Sequence, residues 1–136
     1  MNTRLPSPEK IEELVSFLPR LYEAGFTPIT GWGGESEGKD GVFAMPWPEY
    51  DPVVTEFFKV ASSKTWNDSE YNPVDARRML ENEEEVRGAD LACIRAMLTY
   101  CVRGERFCAG HWGEMISHGY VRQLLQRLIV LSSTHD

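Results

Sequence analysis

The stretch that opens near Gly88 and runs to about Phe107 constrains the fold more than any other part of the chain. Read at helical spacing, Leu91, Ile94, Leu98 and Cys101 form one apolar stripe, and Cys93, Met97 and Tyr100 form a second. Only Arg95 and Thr99 interrupt the remaining side. A helix apolar nearly all round must be covered by neighbours on every face. It is therefore expected as the central helix of the domain, over about 88–107.

The neighbours are signalled by a repeated start. Ser7-Pro8, Asp51-Pro52 and Asn72-Pro73 each join a capping side chain to a proline in the first helical turn, where a missing N–H costs nothing. The first start leads into Ile11, Leu14, Val15, Leu18 and Leu21, with a kink expected at Pro19 and a stop at Gly25. The second carries Val53, Val54, Phe57, Phe58 and Ala61; the third is short, with Val74, Met79 and Leu80 as its apolar contacts. After Gly110 a short helical piece is expected, ended by Gly119. A last helix then turns Val121, Leu124, Leu125, Leu128, Ile129 and Leu131 inward. At 136 residues the expectation is one mainly α domain, 1–136.

From Phe26 to Tyr50 the helical period disappears. Ile29 to Trp32 and Val42 to Met45 are short β-tolerant pieces on either side of the polar, Gly-rich segment Gly33 to Gly41. The stretch reads either as a small β-ribbon within 29–47 or as a bare loop, and a long loop in a small domain is often functional.

Charge and motifs narrow the function classes. The chain carries 14 Lys and Arg against 21 Asp and Glu, a net charge of −7, which disfavours a nucleic-acid backbone as partner. Residues 1–102 hold 10 basic and 18 acidic side chains; residues 103–136 hold four arginines against three acids. The run Glu83-Glu84-Glu85 reads as a solvated face. Met1 to Pro8 contain no signal-peptide pattern, and no run reaches the roughly eighteen apolar residues of a membrane helix. With an odd count of three cysteines, free thiols in a cytoplasmic location are expected. Gly31-Trp32-Gly33-Gly34 lacks the P-loop pattern, and no G-x-S-x-G, H-E-x-x-H or paired-carboxylate signature occurs.

The densest chemistry lies in Leu98-Thr99-Tyr100-Cys101-Val102-Arg103-Gly104-Glu105-Arg106-Phe107-Cys108-Ala109-Gly110-His111-Trp112. If helical, Cys101 and Cys108 stand about 10 Å apart along the axis, too far for one zinc or a disulfide. Cys93 and Cys101 then read as core residues and Cys108 as half-buried. A local Cys108-x-x-His111 pair does not identify a cysteine enzyme, and no metal or other cofactor is expected. Arg103 and Arg106 at i,i+3 spacing, joined by His111, form a fork able to take a carboxylate or phosphate. Equally, they can bind helix-end carbonyls or pair with Glu105 and Glu114, stapling elements together. The tryptophans Trp32, Trp47, Trp66 and Trp112 sit in loops or at element ends, where they either roof the core or line a groove. Trp47 and Trp66 are the better groove residues, and Trp112 joins the arginine motif.

That same run, followed by Ile116, Gly119, Leu124, Leu125, Arg127 and Leu128, resembles the C-terminal signature of a bacterial family of small domains of unknown function. Phe17-Leu18-Pro19 and the Tyr50 to Phe58 segment fit the pattern more loosely. The resemblance implies a small, mostly helical bacterial domain and carries no activity with it. The reading favoured by the missing catalytic signature is a non-enzymatic protein-interaction or regulatory module, self-associating or binding another protein. Its alternative is a small-molecule domain holding an anionic ligand through Arg103, Arg106 and His111.

Overall fold

In a computed structural model, described over residues 6–33 and 47–133, the chain is mainly helical with one small antiparallel sheet. Helix α1 (Pro8–Val15) starts as its sequence directs, with Ser7 accepting a hydrogen bond from the Lys10 amide at 3.3 Å. Pro19 does not kink it. The helix stops at Val15, and a separate turn, α2 (Leu18–Leu21), begins with Pro19 in its first turn, where a proline breaks no bond.

The stretch left open between ribbon and loop contains a ribbon. Strand β1 (Ile29–Gly33) pairs antiparallel with β2 (Trp47–Tyr50), placing Gly31 opposite Glu49 and Trp32 opposite Pro48. The second strand thus lies C-terminal to Val42–Met45, which falls outside the described residues. In a two-stranded ribbon every strand is an edge, so Pro48 can be carried without losing a ladder on both sides.

Asp51 caps α3 (Pro52–Ala61) and Asn72 caps α4 (Pro73–Leu80). In α4, Ala76 and Leu80 are buried, whereas Val74, expected as a core contact, is 75% exposed. The acidic run is more than a solvated face: Asn82 caps Glu84 and Glu85, and the three glutamates open a short helix α5 (Glu83–Arg87). Its Val86 is buried, while Glu83 pairs with Arg87 at 3.0 Å and Glu85 with Arg78 at 2.8 Å.

The central helix is α6 (Leu91–Arg103), followed by one tight 3-10 turn over Gly104–Arg106. It is shorter than 88–107 because Asp90, not Gly88, supplies the cap, accepting from the Cys93 amide at 2.8 Å. It packs on α3, α4, α7 (His111–Ser117) and α8 (Tyr120–Ser133), burying Ile94, Met97, Leu98 and Cys101. Arg95 and Thr99, the two interruptions, are buried as well. Arg95 Nη2 donates to the Asn67 carbonyl at 2.7 Å, and Thr99 Oγ1 accepts from the Asp68 amide at 3.0 Å. They tie the connection between α3 and α4 onto the helix, which draws Trp66 into the core at 0% exposure. In α8, Val121, Leu124, Leu125 and Leu128 face inward and Leu131 packs at the core margin, but Ile129 is 41% exposed.

Candidate functional site

The motif at 103–112 joins the end of α6 to the start of α7, and its residues satisfy each helix end from the other. A helix leaves its first amides and last carbonyls unpaired. The N-cap of α7 is Gly110, which offers no side-chain acceptor and sits at a φ of 91°, a conformation glycine adopts freely. Glu105 supplies the missing acceptor from the preceding turn. Its Oε2 takes the Gly110 amide at 3.0 Å, and Oε1 takes the Trp112 amide at 2.8 Å and the Tyr50 hydroxyl at 2.8 Å. A carboxylate here also meets the positive end of the α7 dipole. In the opposite direction, Trp112 Nε1 donates to the Val102 carbonyl near the end of α6 at 2.9 Å. The same indole stacks on Phe58, centroids 4.6 Å apart and planes within 4°, with Tyr50 tilted against it at 5.4 Å.

His111 completes the joint. Its ring fills the space that a Cβ on Gly104 would occupy, so glycine at 104 is what lets α7 approach the end of α6. The imidazole is 8% exposed, lies edge-on to Tyr100 at 5.4 Å, and its Nε2 has no hydrogen-bond partner among the described residues. Burial holds its pKa below the usual imidazole value, against opposing pulls from Glu105, the Tyr100 carbonyl and Glu114. The folded chain therefore keeps the ring neutral at a pH where the unfolded chain already protonates it. That contribution to stability is complete above the unfolded-state value of about 6.5 and is lost as the pH falls below it. Urea unfolding followed from about pH 8 down to pH 5 is expected to lose stability more steeply in the natural chain than in His111→Gln, by up to about 1.4 kcal/mol per pH unit. Parallel curves for the two proteins would remove His111 from the acid response.

The residues proposed from sequence as an anion fork have three different surroundings. Arg103 donates to Asn67 Oδ1 at 3.3 Å and lies over the Tyr71 ring at 5.6 Å, so it braces the connection before α4. Arg106 is exposed and has no hydrogen bond or ion pair among the described residues. His111 instead lines a cavity of about 420 Å³ together with residues of α4, α6, α7 and α8, and neither arginine borders it. The amides at the start of α7, the other feature suited to an anion, are already taken by Glu105.

The tryptophans divide in the same way. Trp66 is fully buried and presents no face to a groove, and its indole nitrogen lacks an acceptor among the described residues. Trp112 is part of the joint, and Trp47 opens β2, its side chain outside the described set. Trp32 is 47% exposed, its ring 3.3 Å from where a Cβ on Gly110 would stand. Three positions before Gly110, Phe107 is 86% exposed. Cys108 is exposed rather than half-buried, because the 3-10 turn carries it off the helix; Cys101 is buried and its thiol pushed up by burial, and Cys93 lies between.

Sequence reasoning overlooked Glu105 as a cap and Gly104 as a seat for a ring. A signal for the first existed: a helix opening on Gly110 needs an acceptor from elsewhere, and Glu105 is the nearest acid upstream. Among the described residues no group of three His, Cys, Asp or Glu is placed to hold a metal ion, and no helix is long and apolar enough to cross a membrane. No curated protein and no solved structure matches the chain. A model of a family of unknown function, DUF6508, matches residues 6–134, the whole helical domain with its α6–α7 joint, and the chain belongs to that family.

Proposed function

We propose that this domain is a non-enzymatic protein-interaction module of a bacterial cytoplasm, and that it associates with a second copy of itself through the surface carrying Phe107 and Trp32. The observation that carries this reading is the 86% exposure of Phe107 on a turn held rigidly between two helices. A large apolar ring presented to water gains free energy when covered, and a second half-exposed ring, Trp32, lies against Gly110, three positions from Phe107. Three polar groups of the motif are meanwhile engaged within the fold: Glu105 with α7, Arg103 with Asn67 and Trp112 with Val102.

Charge supports a second copy as occupant. Two copies of a chain whose residues 1–102 carry an excess of eight negative charges repel wherever those parts meet. Repulsion is smallest where the 103–112 segments face each other, since Arg103 and Arg106 outnumber Glu105. A two-fold axis there would set the same apolar patch against itself.

Sedimentation equilibrium over a wide concentration range tests the reading. The natural chain is expected to form a dimer, and Phe107→Asp and Trp32→Asp each to weaken it at least about tenfold, roughly 1.4 kcal/mol. Phe107 is a surface position, so the thermal midpoint of Phe107→Asp should hardly move; Trp32 is half-buried against Gly110, so Trp32→Asp is read on the dimer only while the chain stays folded. A natural chain that stays monomeric at the highest concentration, or a dimer indifferent to both substitutions, would overturn the reading.

A further inference from the structure

The cavity between α4, α6, α7 and the start of α8 is not used by the aromatic surface or consumed by the joint. It encloses about 420 Å³ and combines aromatic rings with carboxylates. Tyr100 lines it, as do His118 and Tyr120, whose rings are 5.6 Å apart and within 26° of parallel. Arg77 and Glu81 line the same space as the two tyrosines. Aromatic faces attract cations through their negative quadrupole, most of all where a carboxylate stands near as counter-charge.

The charge count selects the sign of a ligand. Arg77 is the one cation among the lining side chains at a pH where imidazoles are neutral, and it is engaged with Glu81 at 3.3 Å. Glu114, in contrast, accepts no side-chain hydrogen bond and forms no ion pair among the described residues. One carboxylate is therefore left over. An anion entering the cavity would meet that excess and a guanidinium already paired. The buried ring of His111 also lines the cavity.

The geometry points to a binding site for a small organic cation, an ammonium or quaternary ammonium group, seated against Tyr100 and Tyr120 with Glu114 as its counter-charge. Neither Phe107 nor Trp32 lines this cavity, and either reading can fail without the other.

Titration of the full chain at about pH 8 with choline, with its neutral isostere in which carbon replaces nitrogen, and with inorganic phosphate separates the ligand classes. Tyrosine ring signals in NMR spectra give the readout. Choline is expected to shift them saturably, with the neutral isostere at least about fivefold weaker. Glu114→Gln, at an exposed position, should weaken choline by a similar factor and leave the isostere unchanged; Tyr120→Leu should remove the saturable response to choline. If Tyr120→Leu fails to fold, Glu114→Gln decides alone. No saturation by choline up to tens of millimolar, equal binding of choline and its isostere, or preferential binding of phosphate would each overturn the assignment, the last by giving the cavity to Arg77.

Discussion

Gly104→Ala is expected to cost about 3 kcal/mol in urea unfolding, at the upper end for an added methyl group, because that methyl would occupy the volume of the His111 ring. The backbone is not the cause. Gly104 lies at φ −60° and ψ −26°, in the right-handed helical region where alanine is favoured over glycine. The same substitution should therefore change sign once the ring is gone. In a His111→Ala background, Gly104→Ala is expected to be neutral or to stabilise by about 0.5 kcal/mol. A four-protein cycle would then show a coupling of about 3 kcal/mol between positions 104 and 111, large because the two share one volume. Additive losses would mean that the ring moves aside at little cost and that Gly104 is not its seat.

The second large effect belongs to Glu105. Replacing it by alanine leaves the Gly110 and Trp112 amides and the Tyr50 hydroxyl without their acceptor, and takes a negative charge from the start of α7. The expected loss is about 3 kcal/mol, since hydrogen bonds to a charged group are the stronger kind. Glu105→Gln is the informative control. All three partners are donors, so an amide can turn its oxygen to some of them but presents an NH₂ group to the others. About half the loss should therefore remain with the shape intact. Tyr50→Phe, removing one donor and leaving the cap, should cost about 1 kcal/mol. Amide exchange gives a local reading, in which residues 111–117 lose protection first in Glu105→Ala. Loss spread evenly over α6 and α8 would instead make Glu105 a general packing residue.

These two residues explain why a segment dense in reactive side chain types builds structure. Gly104, Glu105, Gly110, His111 and Trp112 close the gap between two helix ends, each end capped from the other side, while Arg103 braces the connection before α4. The family match over residues 6–134 spans that segment together with the rest of the helical domain.

The parts of this protein that its sequence determined are those that local rules encode. Capping and the 3.6-residue period act over three or four positions, and so the starts at Ser7, Asp51 and Asn72, the central α6 and the inward set of α8 could all be read along the chain. Where those rules misplaced a residue, a neighbour from elsewhere decided. Val74 and Ile129 follow helical spacing yet are exposed, because no element among the described residues covers that side of their helices. Trp66 lies in a polar connection yet is buried, because Arg95 and Thr99, about thirty positions later, hold that connection down. Glu105 takes one donor from Tyr50, fifty-five positions away, and Gly104 is needed only because His111 arrives against it. Hydrogen bonding and close packing are satisfied in space, between whichever groups the helices bring together. The longer helices were legible from the sequence; the joint between α6 and α7, and the cavity beside it, were decided by tertiary packing.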